Sequence, residues 1–358
     1  MFAWLKQSTG RGVLLYAPTE PKLIKQPRLI NFVPVFFLMV AAYLLFVFPA
    51  VALETTTEEA VYIDYQEDFK INHPNFFDLL PTGNLLICRV GYQKPAVAEV
   101  TLDGQEVWSF PGIQANSALC LANGNYLLAD SGAPGPPYIP RVCEVSPQGN
   151  MVWEYRFSSL AQAPRYAERL ANGHTLITLP FKIIEVTPAK KVVWSYGWGK
   201  PVPPGIPGHL ACPVQATRLA NGNTLVVDRG LVGGRVFELT PQKQIVWQYG
   251  TGTYPILEPS SQKPVSKSGY LKQPVCAVKL PDGHTLISDL GAQALITLSR
   301  DGKLINTVSW RSSLTALPVL NQWWARPLTP EKVLVAFTLT SLRSRILLLS
   351  LEKQQNTA

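Results

Sequence analysis

Histidine is scarce in this chain. There are four in 358 residues, His73, His174, His209 and His284, so imidazole chemistry has little to draw on. The five cysteines, Cys88, Cys120, Cys143, Cys212 and Cys276, lie far apart with no Cys-x-x-Cys pair. That spacing spells neither a zinc site nor a redox pair, and an odd number cannot pair fully within one chain. No Asn-x-Ser/Thr sequon occurs, in keeping with a bacterial origin. Dense Lys/Arg tracts are missing too. The net charge of +8 owes much to the first 28 residues, and the mild excess beyond them argues against a nucleic-acid partner.

Long helices are excluded by 31 prolines and 25 glycines, which punctuate the chain with turns. One stretch departs from this. Leu29 to Leu53 carries no charge and exceeds the ~20 apolar residues that span a bilayer. Lys6, Arg11, Lys22, Lys25 and Arg28 precede it, and Glu54, Glu58 and Glu59 follow. The positive-inside rule then places residues 1–28 in the cytoplasm and everything after residue 53 outside. Ala50-Val51-Ala52 would suit signal cleavage, but the long polar lead and long apolar run favour a retained signal anchor over 29–53. The expected setting is a single-pass protein of a bacterial inner membrane, its main domain (54–353) on the periplasmic side and a polar tail at 354–358.

That domain is repetitive. LLPTGNLLICR, CLANGNYLLAD, RLANGHTLITL, RLANGNTLVVD and KLPDGHTLISD centre on Gly83, Gly124, Gly173, Gly222 and Gly283, at spacings of 41, 49, 49 and 61 residues. PLTPEKVLVAF is a degenerate sixth copy with Glu331 at the glycine position. Gly between an apolar and a β-branched run marks a tight hairpin. Each is followed by a second hairpin, such as CEVSPQGNMVWEYRF, with Trp108, Trp153, Trp194 and Trp247 in one register. Four strands per repeat, called A to D here, predict an all-β, six-bladed β-propeller of four-stranded blades after one N-terminal transmembrane helix. The repeated Trp is expected to pack blades. The orphan stretch AVYIDYQ (60–66) is expected to supply the missing fourth strand of the last blade and close the ring.

In such a ring the A–B and C–D turns share one face, here uniform and short. The B–C and D–A connections share the other. These are long, proline-stiffened and aromatic, which is where binding is expected. Tyr138, Trp198, Tyr254, Trp323 and Trp324 are the candidate ligand-binding aromatics. Arg169, Arg218 and Lys279, four before their glycines, are candidate anion-binding residues of the channel wall, or partners of acids such as Glu168 and Asp78. Asp130, Asp228 and Asp289, six after theirs, are expected to hold local backbone N–H groups. No metal and no cofactor is called for.

The motif RLxNGNTLxxD followed by E-L-T and I-V-W-x-Y resembles the repeats of bacterial arylsulfotransferase-like and quinoprotein-like propellers over about residues 60–352. The arylsulfotransferase resemblance implies transfer of a sulfuryl group through a channel histidine, for which His73 and His209 are the candidates. The sequence otherwise predicts a non-catalytic binding or scaffold module for a protein or glycan ligand on the loop face, or a subunit of a larger membrane complex.

Overall fold

A computed structural model of the chain describes residues 63–66 and 73–350, apart from 93, 102–103, 231–232, 252–268, 311–318 and 340–342. Side chains of 63–66, 73–74, 319–323, 337–345 and 347–350 are not described. The expected membrane segment at 29–53 lies outside the described residues, and so does Tyr254. Among the described residues no helix is long and apolar enough to cross a membrane.

The protein is an all-β propeller of four-stranded blades. The described strands form six four-stranded sheets, five of them continuous in sequence. The innermost A strands are His73–Leu79, Ala115–Cys120, Tyr166–Arg169, Pro213–Arg218, Pro274–Lys279 and Val319–Thr329. Each lies against the next, and the last lies against the first. The sixth sheet is composite: Ile63–Gln66 pairs antiparallel with Arg343–Ser350, Ile63 opposite Ile346 and Gln66 opposite Arg343. The orphan strand therefore takes the outermost position of the last sheet, as the missing strand required. One boundary moves. Trp323 and Trp324 were expected in a loop-face connection, but both belong to the A strand Val319–Thr329, because Trp324 and Ala325 have a core to enter.

Strand type follows burial. The B strands, such as Leu225-Val226-Val227, are buried on both faces between blades, hence their continuous apolar runs. The D strands of the first five sheets, Glu106–Pro111, Met151–Arg156, Val192–Gly197, Ile245–Tyr249 and Leu304–Ser309, have a free edge and are mostly exposed or half-buried. Each also carries a β-bulge at one register. In the second sheet Glu144 faces Trp153 and Val145 faces Met151, which leaves Val152 as the extra residue. Val107, Val193, Val246 and Ile305 are its counterparts.

Candidate functional site

An inner strand has one unpaired edge facing the axis, and its backbone groups must find partners there. Here side chains of one blade reach the next. Asn75 Nδ2 donates to Asn116 Oδ1 (3.0 Å), and Asn116 Nδ2 to the Pro164 carbonyl (2.9 Å). Arg165 donates to the Pro213 carbonyl (3.2 Å) and to Cys212 Sγ (2.7 Å). The Arg218 N–H donates to Glu168 Oε2 (2.8 Å), and the Ala277 N–H to Gln215 Oε1 (2.9 Å).

The axis itself is filled. Seven residues before each turn centre stand Phe76, Ser117, Tyr166, Gln215, Cys276 and Trp324, all buried. Phe76 meets Trp324 with ring centroids 4.8 Å apart, and meets Tyr166, two blades away, at 6.4 Å. Contact between sheets that are not neighbours is possible only across the centre. Trp324 was expected among the ligand-binding aromatics of the loop face. It is instead part of this plug, because its strand starts earlier than the sequence suggested.

Toward the A–B turns the plug is lined by charge. Arg326 Nε lies 3.1 Å from Asp78 Oδ1, and Arg326 also approaches Cys276 Sγ at 3.6 Å. Burial pushes the Asp78 carboxyl up, against the pull of Arg326. Burial raises Glu168 to about 7, opposed by the Arg218 N–H and charge. Burial works against the Arg326 charge, but Cys276, Asp78 and Tyr166 together hold its proton more firmly than usual. Among the described residues no three His, Cys, Asp or Glu side chains converge as a metal site.

The three cations expected in the channel wall stand at blade interfaces. Arg169 reaches Glu144 of the preceding blade at 2.5 Å, with its Cζ 4.9 Å over the Trp153 ring. Arg218 does the same with Glu185 (2.8 Å) and Trp194 (5.5 Å), and Lys279 with Glu238 (4.0 Å) and Trp247 (5.6 Å). The partners are the C-strand glutamates, not Glu168 or Asp78 as the sequence suggested. The expected ion pairing is right in kind and wrong in partner, since a four-residue step along the A strand points between blades. The other oxygen of each glutamate accepts from its own turn: Asn123 and Asn125 to Glu144, Asn221 and Asn223 to Glu238. At Glu185 the turn histidine takes that place, His174 Nδ1 at 2.7 Å. In the second blade Cys120 holds the cation position, and Tyr126 substitutes for it. Its hydroxyl donates to Glu99 (2.9 Å), and its ring stacks on Trp108 with centroids 4.0 Å apart. The repeated Trp packs blades as expected, and its Nε1 also donates across: Trp108 to the Pro147 carbonyl, Trp153 to that of Pro188, Trp194 to that of Pro241.

The recurring Asp residues hold backbone. Asp228 accepts from the Ala211 and Cys212 N–H groups, Asp289 from those of Lys272, Gln273 and Ala292, and Asp130 from those of Gln114 and Gly132. These bonds fix the start of the A strand in the same blade, and with it the loop face. On that face Tyr138 and Trp198 are exposed at 54% and 55%. Trp198 is oriented by a 2.9 Å bond from Nε1 to the Pro207 carbonyl. Gln114, fully buried, clamps the Tyr138 loop by bonding both backbone groups of Gly91 and the carbonyl of Pro136. Sequence reasoning missed Gln114: Gln273 stands at the same register one residue before its strand, but the side-chain bonds to Gly91 and Pro136 belong to the Gln114 position alone among the described residues. His209 lies in the 197–213 connection, its Nδ1 2.8 Å from the Val202 carbonyl and its Nε2 buried without a partner among the described residues. A carbonyl can only accept, so in the neutral ring Nδ1 carries the proton and Nε2 the lone pair. His73 opens the first A strand, and Trp323 lies in the last one.

No family model matches the sequence, and no curated protein matches it. Solved structures do. A streptogramin B lyase aligns with a TM-score of 0.51 at 11% identity, covering 82% of this chain and 88% of that one. The virginiamycin B lyase of Staphylococcus aureus aligns at 0.50 and 12% identity, covering 81% and 99%. Such neighbours are β-propellers, and at this identity the likeness is one of fold.

Proposed function

We propose that the protein is a membrane-anchored, exported six-bladed propeller that acts as a non-catalytic binding or scaffold module through its loop face. The supporting observation is the filled axis: Phe76, Tyr166 and Trp324 occupy the position where a channel reaction would need open space. Arg169, Arg218 and Lys279, the cations that could have clamped an anion, are engaged in ion pairs at blade interfaces. Tyr138 and Trp198 offer flat apolar surface on rigidly held loops, suited to a protein or glycan ligand. Residues 29–53 supply the anchor, and the setting is the periplasmic side of a bacterial inner membrane.

One observation favours a second reading, an arylsulfotransferase-like transfer of an anionic group: the His209 Nε2, which has no hydrogen-bond partner among the described residues. The two readings separate in one assay. The full chain is offered an aryl sulfate with a phenol acceptor, beside His209→Ala and His73→Ala. Absence of turnover in the parent supports the binding module. Turnover that either substitution abolishes overturns it in favour of the transferase.

A further inference from the structure

We propose that the short-turn face of the propeller lies against an anionic lipid bilayer, so that the loop face points away from the membrane. The inference rests on the anchored reading above and adds to it an orientation and a surface. It begins with the bulges. At the bulge of each of the first five D strands stands Val107, Val152, Val193, Val246 or Ile305, and their exposures fall between 54% and 56%. The residue before each is apolar as well, except Glu106. Free sheet edges are ordinarily guarded by charge, and bulges re-aim side chains. Here five bulges present a β-branched apolar side chain to solvent.

Their position selects the partner. Every one lies within two residues of the start of its D strand, beside the C–D turn, so all five lie toward the same face. A surface that meets residues repeated on five sheets at once must be broad, as a bilayer is. Three of the five C–D turns next to them are basic, while the turns of the first two blades carry no Lys or Arg. Lys190 and Lys191 on the third blade, Lys243 on the fourth and Lys303 on the fifth are exposed, and Asp301 is the one acid in those three turns. Apolar side chains flanked by lysines suit the boundary of an anionic bilayer.

Chain direction gives an independent argument. Ile63–Gln66 takes the D position of the sixth sheet, with Gln66 opposite Arg343 at the start of the C strand. Ile63 is thus at the C–D-turn end, and the chain enters the propeller on the short-turn face. The nine residues 54–62 separate it from the apolar run ending at Leu53, a reach of at most about 35 Å. The entry point, the bulge residues and the lysines all belong to one face.

The test uses the full chain in nanodiscs holding one copy, with phosphatidylcholine alone or mixed with phosphatidylglycerol. In a Cys120→Ser background, an environment-sensitive fluorophore is placed at Val246→Cys or at Tyr138→Cys, and brominated lipid serves as quencher. Loss of most of the fluorescence at position 246 but not at 138 is expected in the anionic discs. That loss should disappear when Val152, Val193 and Ile305 become Glu, and separately when Lys190, Lys191, Lys243 and Lys303 become Gln. A chain that leaves the discs overturns the anchored reading and this inference with it. A chain that stays while the 246 label remains in water, or while 138 is quenched equally, overturns the orientation alone. Shielding at 246 that needs two copies per disc and ignores brominated lipid identifies a second copy as the occupant and also overturns it.

Discussion

The ring of Phe76, from the first blade, stands 4.8 Å from the ring of Trp324, from the last, and is itself 3% exposed. The two ends of the repeat array are thus joined by packing at the axis as well as by hydrogen bonds at the rim. Truncating a buried phenylalanine removes its transfer energy and leaves a cavity. Phe76→Ala should therefore destabilise the propeller by about 3–5 kcal/mol, and Phe76→Leu by much less. Urea unfolding with an unchanged slope checks both, and a Phe76→Ala midpoint equal to that of the parent would contradict the axial plug.

Arg218 is bound on three sides: by Glu185, by the Gly222 carbonyl at 3.2 Å, and by the face of Trp194. Arg218→Met keeps the stem but leaves Oε2 of Glu185, whose side chain is 11% exposed, without the arginine, so that among the described residues His174 alone holds the carboxylate. The expected loss is about 1–3 kcal/mol. Lysine should recover only part of it, because it lacks the planar fork. Thermal unfolding of the three proteins gives the order parent, Lys, Met.

Glu168 gives the stability a pH dependence of stated sign. Its folded pKa of about 7 lies above the ordinary 4.5 because it is buried. Between those values the folded state binds more protons than the unfolded one, so stability falls as pH rises through that window. Glu168→Gln preserves an oxygen acceptor for the Arg218 N–H and removes the charge. It should flatten the pH profile and raise stability at pH 8 by roughly 2–3 kcal/mol. Denaturant midpoints at pH 5 and pH 8 decide; a variant with the parental slope would rule Glu168 out as its source.

Of the five cysteines, Cys120 alone is exposed, while Cys88, Cys143, Cys212 and Cys276 are buried. A thiol reagent should modify one cysteine in the native protein and five after denaturation. The native reaction should be slow at neutral pH, since partial burial and then Glu99 raise the Cys120 thiol. Cys120→Ser should abolish the native signal.

Much of the scaffold was legible because a ring needs the same corner in every blade. The glycines Gly83, Gly124, Gly173, Gly222 and Gly283 all adopt positive φ, between 81° and 90°, as the turn spacing required. The acids Asp130, Asp228 and Asp289 hold backbone for the same repeated reason. The interface cations were visible as a register but not as pairs, because Arg169 meets Glu144 across 25 residues and a blade boundary. Trp324 was misplaced because a long proline-containing segment hides where its strand begins. The D-strand bulges were invisible. A Val before a Trp reads as one more strand residue until the partner strand shows that it has nothing opposite it.

The composite sixth sheet has a consequence for synthesis. Ile63–Gln66 emerges from the ribosome before any other strand described here, yet its only partner in the sheet is Arg343–Ser350, which emerges last. The five contiguous sheets can assemble as they appear, each from neighbouring sequence, while the first strand stays unmatched until translation is nearly complete. Ring closure at the rim is therefore a late, long-range event that acts as a checkpoint: a chain that stops short of residue 343 can build five sheets and the axial Phe76–Trp324 contact, but its first strand has no partner to pair with.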